Sequence, residues 1–291
     1  MACRKWWSTG VLGCVLAAST AVRAEALDTQ FIIDSAAIYN SNISWGPNDE
    51  ALSDFVQSTG VFVALPLIPI QSWSAALLSS YVRYNQHDRF TGLSQGTAGA
   101  SIDYHIQPFA GYNAPWLELR SDGSILRYVN SKIRDGETLN LTALLGWRFT
   151  DRIRIRAGGE AELRWSDSSS VFDQRNSMLL GMMTYRVSDK MHIDVNAKRT
   201  FGAVVITARS PSSEYSDIAT ASAGDSALSV GGSRMAFRIK AYTDQIGFGI
   251  TQEFDESQRI EFGVSYERMQ TLTGDGYYRA GCQLRYAFQL N

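Results

Sequence analysis

The chain has 291 residues, 27 of them basic and 29 acidic, with 45% hydrophobic and 19% charged side chains. This near-balance of charge excludes the basic surface on which nucleic-acid binding rests. Six prolines and the lack of any Pro-rich or charge-block segment leave no linker at which to divide the chain, so it reads as a single domain after its leader.

The leader comes first. Met1 to Trp7 includes Arg4 and Lys5, Ser8 to Val22 is free of charge, and Val22-Arg23-Ala24 places small residues three and one positions before Glu25. Basic, apolar, small-residue order is that of a secretory signal peptide. The expected division is a signal peptide over 1–24, cleaved after Ala24, and a mature domain over 25–291. A membrane-anchoring helix is the alternative, but it needs about 20 apolar residues, more than this run supplies. Val11-Leu12-Gly13-Cys14 offers a lipoprotein cut at Cys14, which would leave a short apolar stretch before it and a long one after. Cleavage after Ala24 removes Cys3 and Cys14 and leaves Cys282 alone, so no internal disulfide is expected. It also removes Arg4, Lys5 and Arg23, leaving 24 basic against 29 acidic residues, or −5.

Strand-like runs follow. In chain order the predicted spans are 30–44, 53–67, 72–85, 96–109, 116–131, 138–149, 152–165, 175–187, 191–206, 234–254, 258–272 and 277–290. The first three alternate poorly. Val61 to Ser79 is the best internal candidate for a spanning helix, but Pro66 and Pro69 make it strand, turn, strand. The sixth span places Leu139, Leu141, Ala143, Leu145, Trp147 and Phe149 on one side. The seventh places Ile153, Ile155, Ala157, Ala161, Leu163 and Trp165 there, with Arg152, Arg154, Arg156, Glu160, Glu162 and Arg164 on the other. A helix would spread these charges around its whole circumference, whereas a strand sends successive side chains to opposite faces. Residues 191–198 and 260–267 repeat the pattern. From Met235 to Phe254 the phase of the alternation changes near Tyr242–Gln245, through a bulge or a miscounted hairpin.

Short connections are expected near Ile68–Gln71, Ala110–Pro115, Thr150–Arg152, Ser188–Lys190 and Asp255–Gln258. Longer ones are expected near Gly46–Leu52, Gln86–Gln95, Lys132–Glu137, Ser166–Gln174, Thr207–Ser233 and Thr273–Gly276. Short periplasmic turns and longer outer loops characterise membrane barrels, whose outer face meets lipid and whose inner face is polar. The fold class expected is all-β, an up-and-down antiparallel transmembrane barrel of 12 strands, with ten or fourteen as alternatives. Such a chain crosses a membrane only as a closed barrel, because lipid leaves the backbone no other partners. A soluble β-sandwich or barrel alternates too. Trp73, Trp116, Trp147, Trp165, Tyr185, Tyr266 and Tyr286 near strand ends favour the membrane, where aromatic girdles mark both interfaces.

The last stretch, Tyr277 to Asn291, reads YYRAGCQLRYAFQLN. Ala280, Cys282, Leu284, Tyr286, Phe288 and Leu290 share one side and Arg279, Gln283 and Arg285 the other. It resembles the terminal strand of Gram-negative outer-membrane proteins, although that family usually ends in an aromatic residue and here Gln289-Leu290-Asn291 follow Phe288. The resemblance implies a bacterial outer-membrane location, a lipid environment and recognition by the barrel-assembly machinery. A second segment, Ala37 to Ile43 (AIYNSNI), is similar to the first strand and loop of porin-like and polysaccharide-associated barrels.

The predicted inward set is Arg148, Arg154, Arg156, Glu160, Glu162, Arg164, Arg186, Asp194, Lys198, Arg238, Lys240, Glu261, Arg279 and Arg285, joined by Asp103, Glu118, Arg120 and Glu267. Rows of arginine would line a pore and favour small anionic solutes, as the likeness to 12-stranded barrels for acidic sugars also implies. Alternatively these charges pair across neighbouring strands and fill the lumen. The Ser-, Ala- and Gly-rich loop 207–233 either folds inward as a constriction or extends its flanking strands. Catalysis is the minor expectation. His87, beside Asp88, is the one histidine at the outer rim, while His105 and His192 sit inward near Asp103 and Asp194. No Ser-His-Asp order, metal-ligand spacing or cofactor motif stands out. The short spacer before the first span leaves no room for a plug or passenger domain. A passive channel is thus the leading expectation, with an accessory barrel serving surface polysaccharide or a periplasmic partner as the runner-up.

Overall fold

The structure, a computed structural model, describes residues 29–46, 50–68, 74–209, 213–229, 233–274 and 276–290. The signal-peptide reading of 1–24, the turn placed near Ile68–Gln71 and the girdle position of Trp73 lie wholly or largely outside them.

The strands run antiparallel in chain order: β1 (Gln30–Asn40), β2 (Asp54–Ile68), β3 (Ser74–His87), β4 (Gln95–Ile106), β5 (Trp116–Tyr128), β6 (Gly136–Arg148), β7 (Ile153–Ser166), β8 (Gln174–Ser188), β9 (Met191–Arg209), β10 (Ala221–Gly224), β11 (Arg234–Glu253), β12 (Gln258–Thr271) and β13 (Gly276–Leu290). Each pairs with its neighbour, β9 pairs directly with β11, and β13 pairs with both β12 and β1. The sheet therefore closes on itself as a barrel of twelve strands. The thirteenth, β10, is four residues long and pairs with β11 above the end of the β11–β12 ladder.

Both ends of the described chain lie at one rim. The turns at that rim include two residues between β8 and β9 and four between β6 and β7 and between β11 and β12. The connections at the other rim include 41–53, 88–94, 129–135, 167–173 and 210–233. Two departures from the expected asymmetry are the long inner connection 107–115 and the short outer one 272–275.

The outer wall explains the alternation. Phe31, Val61, Val82, Ile102, Leu141, Leu145, Leu179, Ile246, Phe262 and Leu284 are all exposed and all point away from the lumen. In water such a surface would aggregate; facing hydrocarbon it is the stable one. Trp147, Tyr185, Tyr266 and Tyr286 point outward with it. Trp116 does not. It is 4% exposed, points inward and lies across Gly146, where a Cβ would come within 2.1 Å of its ring.

The phase change in β11 is neither a bulge nor an extra hairpin. β11 pairs with β9 from Arg234↔Arg209 to Gln252↔Met191 without a register shift. Its lower half sends Ile246, Phe248 and Ile250 outward to lipid. Its upper half has left the membrane, and there the inward side chains, Phe237 and Ile239, are the apolar ones, each 1% exposed.

Candidate functional site

All the candidate inward residues except Arg238 and Lys240 point into the lumen. The cross-strand register places them in facing rows: Arg156 opposite Gly146, Glu160 opposite Thr142, Lys198 opposite Gln245, Glu267 opposite Arg279, and Glu261 opposite Arg285. Arg238 and Lys240 stand on the other side of β11, beyond the outer edge of the apolar belt. The Arg238 guanidinium donates to the carbonyls of Ser170 (2.6 Å) and Asp173 (3.0 Å) in the β7–β8 loop. The rule of apolar out and charged in holds only within the bilayer, and these two residues lie above it.

Many of the charges pair across strands. Asp34, its side chain 2% exposed, accepts from Arg83 Nη2 (3.1 Å) and Arg285 Nε (2.7 Å). Arg285 also lies 3.6 Å from Glu261. Glu267 pairs with Arg279, whose guanidinium sits 4.2 Å over the Trp45 ring. Arg120 bridges Asp103 and Asp122, and Arg156 reaches Glu118 at 3.5 Å. Asp34 and Arg83 were not among the candidates, because strands with poor alternation hide which face a charge occupies; Asp122, two residues beyond Arg120 on β5, was missed beside candidates on its own face.

The pairing does not spread charge evenly. On the inner wall of β6–β9, Arg148, Arg154, Arg156, Arg164, Arg186 and Lys198 outnumber Glu160, Glu162 and Asp194. On the remaining strands Asp34, Asp54, Asp103, Glu118, Asp122, Glu253, Glu261 and Glu267 outnumber Arg83, Arg120, Arg259, Arg279 and Arg285. Among the described strand residues the totals are equal, eleven and eleven, so the inner wall is balanced in charge but polarised across its width. Arg154 and Lys198 make no ion pair among the described residues. The small inner-wall residues Gly247, Gly249, Gly263, Ser265 and Gly281 on β11–β13 leave a cavity of about 410 Å³, bounded by Asp194, Gln245, Glu261, Glu267, Arg279 and Gln283. A second cavity of about 310 Å³ lies against the basic wall, lined by Arg156, Glu160, Asp194, Asn196, Lys198 and Gln245.

A cap of loop residues reaches across the outer mouth. At Gly202 (φ 151°) β9 parts from β8: a Cβ there would fall 2.2 Å from Asn176 Oδ1, which accepts instead from the Ala203 amide at 2.9 Å. Beyond it the β9–β11 hairpin and residues 213–229 reach the loops of the other strands. Val204, Ile206, Ala208, Phe237 and Ile239 pack under the hairpin with Met269, Tyr277 and Tyr215, and the two tyrosine hydroxyls lie 2.9 Å apart. The Thr207 amide donates to the Ser44 carbonyl (2.9 Å) and the Arg209 amide to Glu50 (2.8 Å), both in the β1–β2 loop. Asp225 is fully buried between Thr207 and Arg134 of the β5–β6 loop. Ala227 and Leu228 pack on Leu52, Phe90 and Leu93. Because β3 and β4 stand across the ring of twelve from β9 and β11, this last contact spans the whole mouth.

Asn42 in the AIYNSNI segment is 1% exposed. Its Nδ2 donates to the carbonyls of Gly46 and Tyr278 and its Oδ1 accepts from Ser44 Oγ, so it holds the β1–β2 loop in shape for the cap.

At the outer rim His87 pairs through Nδ1 with Asp54 at 2.7 Å, not with Asp88. Asp54 is anchored by the amides of Phe55 and Arg89. A carboxylate orienting an imidazole is half of a nucleophilic triad, but no hydroxyl is seen on its Nε2 among the described residues. His192 Nε2 lies 3.8 Å from Asp194 and His105 packs near Trp116. At the inner rim the Ser257 hydroxyl and amide hold the Asp255 carboxyl below the ordinary carboxylate range. No group of three or more metal-ligating side chains occurs among the described residues.

No protein-family model matches the sequence, and no curated protein matches it at a significant level. Solved structures match in shape. An outer-membrane channel from Pseudomonas putida F1 aligns with a TM-score of 0.56 over 92% of this chain and 97% of that one, at 9% identity. The chain has the fold of an outer-membrane β-barrel. The KdgM porin aligns at 0.44 (8% identity, 89% of this chain, 99% of that one) and the NanC porin at 0.45 (9%, 89% and 100%). The closed twelve-stranded wall, the outward apolar belt and the charged lumen are the features of that fold in this chain.

Proposed function

We propose that this barrel is a gated passive channel for small polar solutes, whose anionic groups travel along the β6–β9 wall. The supporting observation is the polarised lumen. Six bases against three acids on β6–β9 face an acid-rich wall on the other strands. In a confined cavity lined by low-dielectric walls such a transverse field orients a solute as it passes. Arg154 and Lys198, free of carboxylates, offer donors to a carboxylate or phosphate. Assembly by the outer-membrane barrel-assembly machinery, with β13 as the recognised strand, belongs to the same proposal.

The apolar cap favours a second reading, a non-conducting accessory barrel that serves surface polysaccharide or a periplasmic partner. Planar-bilayer recording of the refolded mature chain under a salt gradient separates the two. Discrete steps whose reversal potential moves toward cation preference in Lys198→Glu are the expected result for a channel. A folded, heat-modifiable barrel that stays silent, even with its cap contacts weakened, overturns the channel reading and leaves the accessory one.

A further inference from the structure

The exterior of the barrel carries one basic quadrant. Arg175 (β8), Arg199 (β9), Lys240 (β11) and Arg268 (β12) all point away from the lumen and are all exposed. Arg199 holds Asp244 on the next strand in a two-point pair, Nε to Oδ1 at 2.5 Å and Nη2 to Oδ2 at 2.7 Å, with both side chains at least 40% exposed. Arg268 stands opposite Asp244 in the β11–β12 register. Aromatic rings flank the row: Tyr242 lies 5.8 Å from the Arg199 guanidinium, Tyr278 lies 5.9 Å from that of Arg268, and Tyr266 stacks on Tyr278. On the opposite flank the outward-facing Arg127 is paired with Asp167 at 2.9 Å.

The height of this quadrant follows from strand length. A tilted strand crosses the hydrocarbon in about 9–11 residues. Asp244 is nine residues from Glu253 at the inner end of β11, and Arg268 is ten from Gln258 at the inner end of β12. A cation on the lipid face costs about 2–4 kcal/mol at the midplane and close to nothing at the interface, so the Arg199–Asp244–Arg268 row sits where it is tolerated, at the outer boundary. Lys240 is four residues farther up β11, about 13 Å along the strand. Arg175 is near the same level, since its carbonyl lies against Gly202 and the neighbouring Asn176 side chain accepts from the amide of Ala203, the partner of Lys240.

Four cations against one carboxylate thus form two levels at the outer interface, above apolar, outward-facing Ile246, Phe248 and Val264. The Arg199–Asp244 pair uses Nε and Nη2 and leaves Nη1 for an outside acceptor. We propose that this quadrant docks a phosphorylated lipid of the outer leaflet. Arg199 and Arg268 meet one phosphate at the membrane boundary, Lys240 and Arg175 meet a second one above it, and the acyl chains lie along Ile246, Phe248 and Val264. The charge favours a lipid with two phosphates over a zwitterionic one, and the apolar floor favours a lipid over free phosphate. This site is independent of whether the lumen conducts.

The test is native mass spectrometry of the refolded mature barrel in detergent, with a bis-phosphorylated acylated disaccharide and, separately, phosphatidylcholine as probes. Wild type is expected to retain the bis-phosphorylated lipid at least tenfold more than phosphatidylcholine. The double variant Lys240→Gln/Arg268→Gln is expected to lose that tenfold preference, and Arg127→Gln to keep it. Arg268→Gln gives up an exposed contact with the Tyr278 ring and the neighbourhood of Asp244, neither of them buried, and Lys240 makes no ion pair among the described residues; should the double variant misfold, Lys240→Arg/Arg268→Lys must retain the lipid while single Arg268→Gln weakens it. Equal retention of the two lipids by wild type, or an unchanged preference in the glutamine variants, overturns the proposal.

Discussion

Removing one buried side chain at the tip of the cap should open the barrel. Leu228 is 1% exposed and packs on Leu52, Phe90 and Leu93 at the rim opposite the hinge. Truncating a buried leucine to alanine costs about 2–5 kcal/mol. Here the loss falls on the docked position of the cap, because an undocked tip has no such contacts to lose. The barrel wall below is untouched. A loss of about 3 kcal/mol multiplies the undocked-to-docked ratio by roughly 100, at about 1.4 kcal/mol per factor of ten. Single-channel recording of Leu228→Ala should therefore show an open fraction about two orders of magnitude above wild type, up to saturation. The unit conductance should stay the same, since the strands set the bore. Phe90→Ala removes the other side of the same contact, and the double variant should gain much less than the sum of the two. An unchanged open fraction with a lowered unfolding midpoint would show that the tip supports the fold without gating it, and the cap would lose its role as the barrier.

Three further outcomes are expected. Gly202→Ala puts a Cβ where Asn176 Oδ1 and the Arg175 carbonyl stand, at 2.2 and 2.6 Å; strain of about 1–3 kcal/mol should lower the temperature at which the folded band is lost on unheated gels, and no shift would show that the hinge is slack. Asp34→Asn removes the shared carboxylate of Arg83 and Arg285. Breaking a fully buried pair costs about 3–5 kcal/mol, but these arginines are 32% and 28% exposed to the lumen, so solvent screening should reduce the loss to about 2 kcal/mol by urea unfolding in lipid, and an unchanged midpoint would remove the triad from the account of stability. Cys282 is exposed on the outer wall between Tyr39 and Val264; in liposomes a membrane-permeant maleimide should label it and a charged one should not, and rapid labelling by both would contradict the lipid-facing assignment.

The wall of the barrel was legible because the bilayer imposes one rule on every strand that crosses it. Leu141, Leu145, Ile155 and Leu284 are exposed for the same physical reason, and the alternation they create located strands β6, β7 and β13 to within a residue or two. Where the rule weakens, so does the reading. In β1–β3 small and polar residues such as Ser35, Ala37 and Thr59 share the outer wall, so Asp34 and Arg83 gave no sign that they meet across the lumen. Trp116 looked like a girdle residue from its place near a strand end. Only the register shows that it faces inward across Gly146, where no side chain competes for the space.

The cap was not legible, and β11 shows why. The lipid rule governs the lower half of β11 and fails above Tyr242, because there the inward side chains pack in an apolar core made by the chain itself and the outward ones meet the β5–β6 and β7–β8 loops or water instead of lipid. Arg238 and Lys240 were drawn inward by the lipid rule and lie above its reach. The signal was present as the phase change near Tyr242–Gln245, which marks where the strand leaves the membrane rather than where its backbone breaks. Nothing local in the Ser-, Ala- and Gly-rich segment announced β10 or the seat of Leu228, since both depend on partners contributed by distant loops. The same strand thus carries lumen, lipid boundary and cap in succession. In the proposed channel the gate would stand at the top of the segment whose lower half lines the lumen, so that displacing the cap would leave the charged wall beneath it in place.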